Sequence, residues 1–187
     1  MKQNRATYTS TLSLYTAFSD VAGWMRRLEV MDERKIIPRQ IYDTYGTSMG
    51  AGKYHAFMGT LKAGELAYVA SNLRTVRQAG IPVLAGTDTG VSGVLLGVSS
   101  QMELVLMVDA GLTPIQVLQS ATIDAAKFLG LEKQLGTVEA GKLADLLVLD
   151  ADPLIDMRNI RRIYRVIKAG VVYDPAEILA AFRVPSR

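Results

Sequence analysis

The stretch "IPVLAGTDTG", residues 81–90, decides how this chain reads. Ile81, Val83, Leu84 and Ala85 form a continuous apolar run, the pattern of a parallel strand covered on both faces. Pro82 stands at its start, where a missing amide does least harm. The run ends in Gly86, Thr87, Asp88, Thr89 and Gly90, so a carboxylate is presented at the tip of a buried strand. In β/α barrels and open α/β sheets, active sites gather at the carboxyl ends of the strands. Asp88 in that place suits a metal ligand, a general base, or both. It also suits a plain Asx-turn, in which the side chain bonds backbone two residues on. The local pattern leaves both open.

Working upstream, Leu66, Val69, Leu73 and Val76 make one helical stripe, and Gly80 follows as a C-cap. Helix, tight turn and buried strand in that order are half of a β/α repeat. "ATYTSTLSLY", 6–15, is rich in Thr, Tyr and Leu and reads as a strand. Val21, Trp24, Met25 and Leu28 predict a helix over 20–29. Residues 31–59, with Pro38, Gly46, Gly50, Gly52 and Gly59, read as a long loop with short helical pieces, and loops of that length tend to be functional.

Downstream, a helix is predicted from about Ser99 to Asp109, stopping at Gly111. "TPIQ", 113–116, is a helix start with Thr113 as N-cap, Pro114 at N1 and Gln116 at N3. "IDAAKFLG" is a short helix closing at Gly130. Near residue 131 the character changes. "ADLLVLD", 144–150, reads as a strand, "YRVIKAGVVYD" as a hairpin through Gly170, and "DPAEILAAF" as a helix capped by Asp174 and Glu177. The division expected is therefore 1–130 and 131–187.

Composition fits a folded domain: 187 residues, 49% hydrophobic, 21% charged. No apolar run reaches the roughly 18 residues that span a bilayer. "MKQNRATYTS" has no apolar stretch of the signal-peptide kind, so neither a membrane nor an export route is indicated, and the compartment stays open. The absence of cysteine excludes disulfides, thiolate metal sites and cysteine nucleophiles. The net charge of +3 comes largely from Arg158, Arg161, Arg162, Arg165 and Lys168. These read as the solvated face of a strand, and no nucleic-acid motif accompanies them.

"GIPVLAGTDTG", "MELVLMVDAGLTPIQVLQSATIDAAKFLGL", "LGTVEAGKLADLLVLDADPLIDMRNIRRI" and "VIKAGVVYD" together resemble the C-terminal part of the metal-dependent amidohydrolases, in their imidazolonepropionase-like and Xaa-Pro dipeptidase-like branch. The resemblance runs from about 60 to 175, with four motifs in order. It implies an α/β fold: a partial TIM-type (β/α) barrel with "ATYTSTLSLY" as its seventh strand and "IPVLAGTD" as its eighth, followed by the C-terminal share of a small β-sandwich. It implies hydrolysis of carbon–nitrogen bonds in a small-molecule amide, cyclic amide or dipeptide. It further implies a divalent metal, usually zinc, which lowers the pKa of its bound water to roughly 7. Asp88 matches the family's eighth-strand aspartate, which binds that metal and shuttles the proton from attacking water to leaving nitrogen.

The remaining ligands of the family, a His-x-His pair, a bridging carboxylate and two further histidines, cannot be placed. The one histidine, His55, matches no ligand motif. Gln101 stands where many relatives carry a histidine just before the Glu103–Leu104 pair; it can hydrogen-bond substrate but cannot titrate. Thr89, with Thr87 and Ser92, either lines a pocket or serves the turn. Lys142 reads as turn chemistry. A barrel closes only with eight strands, and two are legible here. The sequence therefore reads as the last part of a longer enzyme, inactive alone, with Met1 an internal methionine. The alternatives are a short protein that completes its site with another chain or has lost catalysis and serves as an interaction module, and a basic tail that binds nucleic acid or another acidic partner.

Overall fold

The computed structural model describes residues 6–31, 37–50, 65–91 and 93–181. They form two compact units, Met1–Leu112 and Thr113–Arg187. The division falls ahead of the change of sequence character near 131, so the helix that begins at Pro114 belongs with the β-rich tail.

The first unit is built on two short parallel strands, β1 (Tyr8–Thr9) and β2 (Val83–Leu84), in register Tyr8 to Val83 and Thr9 to Leu84. Backbone bonds from Tyr8 N to Pro82 O and from Ser10 N to Leu84 O, each 2.9 Å, extend the pairing. Val83 and Leu84 are both buried, as the apolar run requires. Around the strands lie α1 (Leu12–Ser19), α2 (Val21–Met31), α3 (Arg39–Gly50), α4 (Glu65–Gln78) and α5 (Val98–Asp109). Helix α1 packs on α2, α4 and α5. Leu12, Leu14, Ala17, Phe18, Trp24, Leu73, Met102 and Met107 fill the core.

Two expectations are corrected by this unit. Residues 6–15 are not one strand: β1 stops at Thr9 and α1 begins at Leu12. Thr11, in the N-cap place, makes no side-chain cap; the Leu12 and Ser13 N–H groups bond instead to the carboxylate of Glu103, far along the chain. The stretch 31–59 also holds a full helix, α3, beginning directly after Pro38. Its first turns are fastened by the Arg39–Asp43 pair at i,i+4 and by Tyr42, buried with its hydroxyl 3.5 Å from the Leu28 carbonyl. His55 and Ser92 lie outside the described residues.

The second unit holds α6 (Pro114–Ala121), α7 (Ile123–Phe128), β3 (Leu146–Leu149), a 3₁₀ turn (Met157–Arg161), β4 (Ile163–Lys168), β5 (Val171–Tyr173) and α8 (Pro175–Ala181). The capping box on α6 forms as the spacing predicts: Thr113 Oγ1 accepts from Gln116 N, and Gln116 Oε1 accepts from Thr113 N at 3.0 Å. Strands β3, β4 and β5 make one antiparallel sheet in sequence order. The hairpin turn has Ala169 and Gly170 at φ 51° and 82°, the two left-handed positions of a tight two-residue turn. Asp174 caps α8 through Ala176 N at 2.7 Å. Gly136 leaves no room for a side chain, since a Cβ there would sit 2.8 Å from Ile123 Cα and 2.9 Å from Ala126 Cβ. The "LGT" turn therefore packs directly against α7.

Arg158, Arg165 and Lys168 of the tail each pair with a carboxylate. Arg158 binds Asp156, Arg165 stacks 4.1 Å from the Tyr164 ring and reaches Asp174 at 3.2 Å, and Lys168 binds Asp145. No helix among the described residues is long and apolar enough to cross a membrane.

Candidate functional site

The carboxyl ends of β1 and β2 point the same way because the strands are parallel. Thr9 and Ser10 close one, and Gly86, Thr87, Asp88 and Thr89 continue the other. The two ends touch at Gly86: a Cβ built there would lie 2.5 Å from Thr9 Cγ2 and 3.5 Å from Ser10 O. Glycine here leaves room for the Thr9 methyl of the neighbouring strand end.

Asp88 is exposed and sits at φ 54°, in the left-handed region that aspartate tolerates better than most residues. Among the described residues its carboxylate has no hydrogen-bond or ion-pair partner, so the Asx-turn is not formed. Thr87 and Thr89 straddle it, and their hydroxyls hydrogen-bond to each other. Thr89 also bridges to Val91. These contacts give the two threonines the work of a turn that holds Asp88 outward.

Gln101 is half-buried in the first turns of α5, two residues before Glu103. Lys142 belongs to the other unit, where its ammonium bonds Thr137 Oγ1 and pairs with Glu139 at 3.5 Å, as a turn lysine does. The Glu139 carboxyl is held below its ordinary value by the Thr137 hydroxyl and then by Lys142. A groove of about 550 Å³ lies in that unit too, along β3, lined by Val138, Leu147, Asp150 and Asp152 among others.

Glu103, named in the sequence only as a landmark beside Gln101, has a role that the sequence reading missed. Glu103 is wholly buried in α5. Its Oε1 accepts from Ser10 Oγ and from Leu12 N at 3.0 Å; its Oε2 accepts from Ser13 N and Ser13 Oγ, both at 2.7 Å. Burying a carboxylate costs several kcal/mol. Hydrogen bonds to a charged acceptor return about 1.5–3 kcal/mol each, and the amino-terminal end of α1 adds a favourable dipole. The signal in the sequence was a lone acid inside the apolar run "MELVLMV". Close by, burial raises the pKa of the Tyr8 hydroxyl, and the charges of Tyr15 and Glu103 add to that.

Among the described residues no group of three or more His, Cys, Asp or Glu side chains could hold a metal ion. A zinc centre needs about three or four protein ligands. Asp88 offers one, so the described residues by themselves do not make a metal centre.

The Amidohydrolase family profile matches residues 60–173, more than half of the chain. The chain belongs to the amidohydrolase family. It is 33% identical over 117 residues to the imidazolonepropionase of Shouchella clausii (strain KSM-K16), covering 58% of this chain and 25% of that protein. It is 36% identical over 92 residues to the 5-methylthioadenosine/S-adenosylhomocysteine deaminase of Moorella thermoacetica (strain ATCC 39073 / JCM 9320), covering 44% of this chain and 22% of that one. Among solved structures, a Xaa-Pro dipeptidase with bound methionine in its active site superposes with a TM-score of 0.53 at 28% identity, over 70% of this chain and 33% of that one. This amidohydrolase chain thus spans a third or less of the length of each of these relatives, and it shares their barrel-type mixture of helices and strands.

Proposed function

We propose that this chain is the C-terminal portion of a metal-dependent amidohydrolase that cleaves a carbon–nitrogen bond, with Asp88 as its proton-handling carboxylate. One observation carries the reading: within the family-matched segment, an exposed carboxylate with no hydrogen-bond or ion-pair partner among the described residues stands at the carboxyl end of a parallel strand, beside the end of its neighbour. That is where this architecture assembles its chemistry.

In this reading β1 and β2 are the seventh and eighth barrel strands, and the β3–β4–β5 sheet is part of the small sandwich. A divalent metal, zinc by family resemblance, would activate water and would be held mainly by residues outside this chain, with Asp88 as one ligand. Asp88 would take a proton from the attacking water and return it to the leaving nitrogen. Both transfers need a carboxylate that is accessible and not committed to a neighbour; Asp88 is exposed and has no partner among the described residues. Thr89 and Gln101 would stand at the substrate's edge. Amide, cyclic-amide and dipeptide substrates are all consistent with the relatives, among them an imidazolonepropionase and a dipeptidase.

The test compares this chain with the complete polypeptide that carries it. Metal content is measured by mass spectrometry, and turnover is measured on imidazolonepropionate, alanyl-proline and 5-methylthioadenosine. The complete protein should hold metal and turn over at least one of these compounds, while the 187-residue chain should hold none stoichiometrically. Asp88→Asn in the complete protein should lower kcat by about 10²–10⁴. Full turnover by Asp88→Asn would refute the assignment. Turnover by the 187-residue chain alone would refute the claim that its site is incomplete.

A further inference from the structure

The segment that carries Asp88, residues 85–91 and 93–97, is fastened to the rest of the first unit at three places among the described residues. At its entry, Ser10 N donates to Leu84 O at 2.9 Å. At its middle, the buried Trp24 Nε1 donates to Gly93 O at 2.8 Å. At its exit, Leu95 N donates to the buried Ser99 Oγ at 2.8 Å, and the Ser99 carbonyl lies 3.1 Å from Ser13 Oγ. The entry fastening reaches the turn Ser10–Ser13 through Ser10 N, and the exit fastening reaches it through Ser13 Oγ, whose single hydrogen is shared between the Ser99 carbonyl and Glu103 Oε2. That turn has one common acceptor, the carboxylate of Glu103, which takes bonds from Ser10, Leu12 and Ser13.

We infer that Glu103 is the positioning residue of the Asp88 loop. It does not touch the reacting atoms. It fixes the β1–α1 turn, and that turn sets both ends of the loop on which Asp88 stands. A carboxylate is required for this, because each of its oxygens faces a backbone N–H that can only donate, Leu12 N at Oε1 and Ser13 N at Oε2. Glutamine would turn an NH₂ toward the Oε1 donors or the Oε2 donors, whichever way it sat. The consequence for turnover rests on Asp88 being the proton-handling carboxylate; the consequence for the loop does not.

The experiment uses the complete protein with Glu103→Gln, the milder Ser13→Ala, which keeps the backbone N–H bonds, and Leu106→Ala as a control. Leu106 is buried in the same helix but belongs to no part of this network. Amide hydrogen exchange is followed at equal distance below each variant's own Tm. Glu103→Gln and Ser13→Ala should speed exchange over residues 86–97 by about tenfold or more, and Leu106→Ala should not. With whichever compound the complete protein turns over, both network variants should lose kcat by about tenfold with KM unchanged. Should Glu103→Gln fail to fold, Ser13→Ala decides. Unchanged exchange over 86–97 in Ser13→Ala, or equal acceleration in Leu106→Ala, overturns the inference. Loss of protection without loss of kcat, together with an active Asp88→Asn, leaves Glu103 as the loop's anchor and refutes the assignment of Asp88 instead.

Discussion

Replacing Gly86 by alanine tests the contact that joins the two strand ends. The new Cβ would stand 2.5 Å from Thr9 Cγ2, well inside van der Waals contact, while the next atom, Ser10 O, is at a comfortable 3.5 Å. Gly86 is not at positive φ, so alanine meets no backbone strain there. Overpacking of this kind costs about 1–3 kcal/mol. Loss of glycine's freedom in the unfolded chain returns about 0.4–1 kcal/mol. The net destabilisation should be about 0–2.6 kcal/mol, centred near 1.3, or a Tm lowered by up to about 10 °C for a chain of this size. The clash depends on one methyl group, so the same substitution in a Thr9→Ala background should stabilise by about 0.4–1 kcal/mol, a reversal of sign. Trp24, the chain's single tryptophan and wholly buried in the same unit, reports the unfolding by fluorescence in urea. An equal cost for Gly86→Ala in both backgrounds would refute the proposed contact between Thr9 and Gly86.

Two further outcomes are expected from the second unit. Asp145 is held below its ordinary value of 3.8 by Lys168 and then by the Ala169 N–H at the hairpin turn. A depressed carboxyl stabilises the fold above that value and loses its contribution as pH falls through the lower, folded one. Acid unfolding of the hairpin below about pH 4 should therefore be less steep in Asp145→Asn, which NMR titration of the Ala169 amide would follow. Removing the Thr113 cap with Thr113→Ala should cost about 1 kcal/mol, read from exchange of the α6 amides, and Thr113→Ser should restore most of it.

Much of this fold was written locally. Helices α4 to α7 follow from apolar spacing, the Thr113 box and terminal glycines, because capping and periodicity act within a few residues. The hairpin at Gly170 and the strand tip at Asp88 were legible for the same reason. Helix α3 was obscured by Gly46 and Gly50, which weaken helix propensity but do not forbid a helix that buries Tyr42. Most instructive is the segment 6–15. Its threonines and tyrosines favour a strand, and Thr11 puts no side-chain cap on helix α1.

The sequence by itself determined the family, the order of helices and strands from 65 onward, and the aspartate at the end of an apolar strand. Those depend on short-range period and on motifs that survive as strings. Only the tertiary structure decided that the chain turns into helix at Leu12, that Glu103 is buried and fully bonded, and that Asp88 is held outward on a loop fastened at both ends. Each of these depends on a carboxylate meeting N–H and hydroxyl donors from about ninety residues earlier, an electrostatic match that loses about 1.5–3 kcal/mol for each partner withdrawn. No local window contains both halves of that match.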